Sequence, residues 1–127
     1  MIQSVLAIGV GAAAGALLRW WFGVAFNALL PLLPLGTLCA NLLGGLLMGI
    51  ALGFFAQHVE LSPQWRLLCV TGFLGGLTTF SSFSGEVTLL LRDGRPGWAL
   101  ATIGAHVIGS LALTALGLAG YTLWLRR

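Results

Sequence analysis

The residues best equipped for chemistry in this chain are few and mostly uncharged. The densest group is the run Gly72-Phe-Leu-Gly75-Gly76-Leu-Thr78-Thr79-Phe80-Ser81-Ser82-Phe83-Ser84-Gly85-Glu86. Phe80 and Phe83 are three apart, as are Ser81 and Ser84, so a helix there carries an aromatic stripe beside a hydroxyl stripe. Asn41 lies four residues after Thr37, on the same helix face. His106, Ser110 and Thr114 follow one another at intervals of four and form a polar line. Arg19 precedes the pair Trp20-Trp21. No activated nucleophile, metal triad or nucleotide loop is present, which excludes the usual enzyme classes.

These groups suit a small ion. Asn41 offers two donors and an acceptor, and the hydroxyls of Ser81, Ser84, Ser110 and Thr114 can each present a hydrogen to an anion. The edge of a phenyl ring carries partial positive charge and its face partial negative charge. Edges of Phe80 and Phe83 could meet an anion without holding it tightly, and conduction needs an ion that can also leave. Taken singly, each residue has a plainer reading: core packing for the phenylalanines, an interhelical hydrogen bond for Asn41, and bonding back to its own helix for a serine. Arg19 either snorkels toward headgroups or tethers the next helix or raises the local anion concentration. The number of aligned polar groups points to a hydrated ion route, but residue chemistry alone does not name the ion. Glu86, near the end of the third span, could face the same route.

The elements that must position these residues are membrane helices. Of 127 residues, 58% are hydrophobic and only 7% are charged, against roughly 25% charged in an ordinary soluble domain. Nine formal charges cannot cover a soluble globule of this size, so the chain reads as an integral membrane protein. All six cations are arginines, placed singly or in pairs without interleaved aromatics, which argues against a nucleic-acid partner. Cys39 and Cys69 lie in apolar stretches and read as packing residues.

Charge-free stretches set the spans. A membrane helix needs about 20 apolar residues, and Trp20 to Gln57 runs uncharged for 38, too long for one helix. Pro31 and Pro34 divide it. Four helices result: about Gln3 to Ala28, Gly36 to Gln57, Pro63 to Leu91 and Gly97 to Leu125. Ser62 is placed to cap the third, with Pro63 at its first position. The N-terminus lacks a basic region and a cleavage site, so the first helix reads as retained. Residues 1–127 are expected to form one four-helix transmembrane domain. The glycine pair beside two threonines makes a poor helix, so the third span is expected to break there. Irregular backbone at that depth survives only when buried or lining a cavity. A break frees carbonyls for cations and a half-helix N-terminus for anions.

The orientation signal is nearly balanced. With four spans, one side holds Arg66, Arg126 and Arg127, and the other holds Arg92 and Arg95, with Arg19 making three to three. A chain without a positive-inside bias can insert both ways, and opposite orientations could pair head to tail. Gly45, Gly49 and Gly53 repeat every fourth residue, as do Gly11 and Gly15, and Gly72 and Gly76. Such stripes let helix backbones approach. The two pairs read as packing within one chain, and the three-membered stripe reads as an interface between chains.

With these motifs in place, the whole chain resembles the Fluc (CrcB) family of fluoride channels. The resemblance rests on length, four spans and motif order, including Gly36-Thr37-Leu-Cys-Ala-Asn41-Leu-Leu-Gly-Gly and the run from Gly72 to Glu86. It implies an all-α, dual-topology antiparallel homodimer in a bacterial cell inner membrane, with two fluoride pores built from both subunits. Phe80 and Phe83 match the family's pore phenylalanines, and Asn41 its pore asparagine. Ser81, Ser84, Ser110 and Thr114 match polar-track hydroxyls, and Arg19 a vestibule arginine. Carbonyls of Gly75 and Thr78 match a structural sodium site at the dimer interface. The implied activity is passive fluoride export: the neutral acid enters, ionises and is trapped until a channel releases it. His106 has no place in this correspondence. The rival small multidrug-resistance transporters are also short and four-spanning, but they need a carboxylate deep in the first helix, where this chain has Arg19.

Overall fold

A computed structural model describes residues 1–127. Four segments are long and apolar enough to cross a membrane: Ile2–Leu29, Leu35–Gln57, Pro63–Arg92 and Pro96–Trp124. The elements are α1 (Ile2–Phe26) and α2 (Leu35–Gln57), a short α3 (Pro63–Arg66) running into a π-helix (Leu67–Leu74), then α4 (Gly75–Leu77), α5 (Phe80–Arg92) and α6 (Pro96–Trp124). The four expected spans are all present, with ends within a few residues of those read from the charges.

Local chemistry explains the ends. Pro34 stands just before α2, and the two proline positions fall in the connecting loop. Asn27 reaches forward from the end of the first span, and its Oδ1 accepts from the N–H groups of Gly36 at 2.8 Å and Thr37 at 3.2 Å. These are among the first donors of α2, which no intrahelical carbonyl can satisfy. Asn27 therefore caps a helix eight residues further on. Ser62 occupies the position before Pro63, but its hydroxyl bonds the Gln64 side chain and not the backbone. The cap expected there is thus positional only. The last connection turns through Gly94, the one residue with a left-handed backbone (φ +69°).

Two helix pairs carry the packing. Gly11 and Gly15 of α1 lie against the π-helix, where a Cβ on Gly11 would come within 2.8 Å of the Phe73 nitrogen. Gly72 returns the contact, its missing Cβ facing the Ile8 carbonyl at 2.7 Å. These pairs pack within the chain, as read. The stripe on α2 does the same, which corrects its assignment to an interface between chains. Gly45 abuts Ser110, Gly49 abuts Thr114 and Leu118, and Gly53 abuts the Tyr121 ring, all on α6 of the same chain. Periodicity shows that a helix face is flat but not which helix lies on it.

Where the first three spans meet, the core is small. Ala40, Leu74 and Leu77 form its centre, with Leu18, Phe22, Leu43 and Phe73 packed around them. Only 18 of 127 residues are buried. Most apolar side chains therefore face outward, as lipid contact permits.

Candidate functional site

The third span breaks where the glycines and threonines predict. α4 ends at Leu77, and Thr78 (φ −82°, ψ 153°) and Thr79 (φ −150°, ψ 112°) are extended before α5 begins at Phe80. The π-helix just upstream has no signal in the sequence beyond its apolar run. Such segments frequently accompany functional sites.

Side chains hold the break open. Asn41 Nδ2 donates to the Thr79 carbonyl at 3.0 Å, and Asn41 Oδ1 accepts from the Thr79 N–H at 2.7 Å. The amide supplies the partners that a continuous helix would have supplied. Thr79 Oγ1 accepts from the Ser82 N–H at 3.1 Å, which caps α5 in mid-chain. On the other flank, Arg19 Nε donates to the Gly76 carbonyl at 3.0 Å. Arg19 is thus a tether, but to the third span and not, as expected, to the next helix. The Thr78 carbonyl accepts no hydrogen bond from backbone or side chain.

A cleft of about 420 Å³ lies beside the break. Asn41, Thr78, Thr79, Phe80, Phe83, His106, Ser110 and Thr114 line it, together with Gly44, Gly45 and Met48. Phe80 and Phe83 meet edge to face, their ring centroids 5.4 Å apart and planes at 68°. Phe83 is buried, whereas Phe80 is 76% exposed at the open side. Thr114 Oγ1 donates to the carbonyls of Gly45 at 2.9 Å and Ser110 at 2.8 Å, so its hydrogen is engaged within the chain.

Not all the predicted residues gather here. A second cavity, of about 470 Å³, takes in Arg19, Trp20, Asn27, Thr37, Thr79 and Ser82. Thr79 borders both cavities. Ser81 is exposed and Ser84 half-buried, and neither lines either cavity. Ser82 is the hydroxyl that faces the second cavity, a role the even spacing of Ser81 and Ser84 did not suggest. Gly75 is exposed on the outer surface of the break, apart from the cleft.

His106, the residue without a place in the sequence correspondence, is central. It is almost fully buried, stacks on Phe83 at a centroid distance of 4.7 Å, and its Nδ1 lies 3.0 Å from Asn41 Nδ2. Its Nε2 faces Glu86 Oε2 across 4.0 Å, and neither atom has a hydrogen-bond partner. Its four-residue spacing from Ser110 was the only trace of this role in the sequence.

Four membrane-length helices, one of them broken beside a cleft of uncharged polar side chains and aromatic rings, define a membrane protein of the small-ion pore type. The comparisons narrow the class to a family. The family model described as "CrcB-like protein, Camphor Resistance (CrcB)" matches residues 6–118. A protein of Tolumonas auensis is 61% identical over 123 residues, covering 97% of each chain. One of Chromobacterium violaceum is 58% identical over 127 residues, all of both chains. One of Cupriavidus necator is 61% identical over 118 residues, covering 93% of this chain and 94% of its own. Each bears the name fluoride-specific ion channel FluC. The chain belongs to the CrcB family.

Proposed function

We propose that this protein is a fluoride-selective ion channel of a bacterial cell membrane, passing fluoride passively down its electrochemical gradient. The observation that carries the reading is the cleft at the break, where Asn41, Phe80, Phe83, Ser110 and Thr114 converge. Near-full-length relatives named as fluoride channels supply the ion. The lining is uncharged. The amide hydrogens of Asn41 and the hydroxyl of Thr114 are engaged within the chain, so the Ser110 hydroxyl and the ring edges are what meet a small anion, and no fixed charge traps it.

The functional unit in this reading is an antiparallel homodimer with two pores. The cleft of one chain is open on one side, and Phe80 projects there with nothing of its own chain over it. A second copy in the opposite orientation would close it. The balance of arginines across the two faces supports insertion both ways. Ser81 and Ser84, outside the cleft of the single chain, would contribute from the partner's side or at the pore mouth. Arg19 and the second cavity would form the vestibule.

The residues at the break fit a sodium ion. Thr78 offers a carbonyl with no other partner, and the space above Gly75 is open, its nearest neighbour being the Val70 oxygen at 3.9 Å from a placed Cβ. Hard cations take oxygen ligands of this kind, six or so at a time, so two carbonyls from each of two chains would supply most of the shell. Bound there, sodium would neutralise carbonyl dipoles at the dimer axis.

The test is flux. Purified protein in liposomes loaded with fluoride should release it rapidly once valinomycin relieves the potassium gradient, as read by a fluoride electrode, with little release from chloride-loaded liposomes. No release from folded protein, or equal release of both ions, would refute the reading.

A further inference from the structure

His106 has a protonation state imposed by its neighbours. The peptide of Thr79 fixes which way Asn41 points: its N–H can only donate, at 2.7 Å, so it faces Oδ1, and its carbonyl can only accept, at 3.0 Å, so it faces Nδ2. The second hydrogen of Nδ2 then points at His106 Nδ1, 3.0 Å away. Nδ1 must therefore be bare, and a neutral ring must carry its hydrogen on Nε2.

We propose that His106 is a positioning residue of the pore: an uncharged acceptor whose Nδ1 fixes the Asn41 amide and whose ring seats Phe83. This rests on the channel reading. The ring touches both pore residues at once, stacking on Phe83 at 4.7 Å while bonding Asn41. Protonation of Nδ1 sets two donors face to face. Flipping the Asn41 amide does not help, because Nδ2 would then face the Thr79 N–H. A charged His106 thus works against the grip on Thr79 at the break. The surroundings add one titratable group, Glu86 on α5, whose Oε2 is 4.0 Å from Nε2. α2 presents the uncharged Asn41, α6 has no other charged side chain between Pro96 and Trp124, and the single charge of α1, Arg19, is bonded to Gly76.

Two measurements test this. In liposomes at neutral pH, His106→Asn keeps an acceptor near the Nδ1 position but loses the ring against Phe83, so its flux should fall by less than in a variant without the acceptor. His106→Phe keeps the ring but loses the acceptor and should lose flux at least tenfold. Wild-type flux should fall as the pH is lowered from neutral, after subtraction of the neutral-acid leak of protein-free liposomes, whereas His106→Asn should be flat. Wild-type flux at neutral pH from the phenylalanine variant, or equal acid sensitivity in the asparagine variant, would overturn the proposal. The second measurement needs no flux: nitrogen NMR of histidine-labelled wild type in lipid. The chain has two histidines. His58 Nδ1 lies 2.9 Å from the Phe54 carbonyl and must carry a hydrogen. The two should therefore show opposite tautomers at neutral pH, with His106 protonated on Nε2 alone. A hydrogen on His106 Nδ1 would refute the proposal. The expected tautomer in a protein that passes no fluoride would uphold the positioning of Asn41 and refute the channel.

Discussion

Asn41 and Thr79 are bonded through both faces of one peptide, Nδ2 to the carbonyl at 3.0 Å and Oδ1 to the N–H at 2.7 Å. An amide on α2 thus completes the backbone of a different span, 38 residues away. The break in the third span is held because both backbone groups of the buried Thr79 are paired, as buried polar groups require.

Asn41→Asp tests that grip with almost no change of shape. The carboxylate still accepts from the Thr79 N–H but sets an oxygen against the Thr79 carbonyl and His106 Nδ1. A buried polar group left unsatisfied costs about 1–3 kcal/mol. We expect fluoride flux to fall about tenfold or more and the melting temperature of the detergent-solubilised protein to drop. Wild-type flux would show that the amide hydrogens are dispensable.

Phe80 and Phe83 should separate function from stability. Phe80 is 76% exposed in the single chain, and Phe83 is 7% exposed and stacked on His106. Phe80→Ile removes a ring edge from the cleft without opening a cavity. It should cut flux while leaving unfolding of the chain unchanged. Phe83→Ile should cut flux and also destabilise, by roughly 1–3 kcal/mol for a changed core shape. Equal stability losses in the two variants, or undiminished flux in Phe80→Ile, would contradict this division.

The α2–α6 contact depends on absent side chains. A Cβ on Gly49 would meet the Thr114 carbonyl and come within 2.7 Å of the Leu118 nitrogen, both rigid backbone. Gly120, on the same α6, has nothing within 4 Å of its Cβ position. Gly49→Val should therefore reduce folded yield and stability by about 1–3 kcal/mol or more, as overpacking does, and Gly120→Val should be nearly neutral. A thermal-shift series in detergent would read both. Similar losses would mean that the helices are held apart by something other than this glycine face.

Much of this architecture is legible in the residues alone. Charge-free runs and Pro31 and Pro34 locate the spans, because each ionised side chain is costly in hydrocarbon. The break is legible because glycine and β-branched threonine are both weak helix formers. What pairs across the fold is not. The cap that Asn27 gives α2, the seat of His106 between Asn41 and Phe83, and the partner of the Gly45 stripe are tertiary contacts, and periodicity carries only the face. The π-helix is hidden for a related reason. Its residues are mostly ordinary apolar ones, and their pattern does not distinguish a wider turn from an ordinary one.

Gly75→Val isolates the assembly from the subunit. Within one chain a Cβ at Gly75 finds open space, the nearest atom being the Val70 oxygen at 3.9 Å. The fold of the chain should accept the substitution without loss of stability, since valine is a better helix former than glycine. The cation site in the proposed dimer leaves no such room, because two copies of the Gly75 and Thr78 carbonyls must converge there on one ion. The variant should therefore fold yet lose most of its dimer, and what dimer remains should no longer respond to replacing sodium with a large organic cation. Light scattering of the detergent-solubilised protein, with and without sodium, reads this directly. A fully dimeric variant that keeps the wild-type response to sodium would remove Gly75 from the site and leave the unpartnered Thr78 carbonyl to be explained another way.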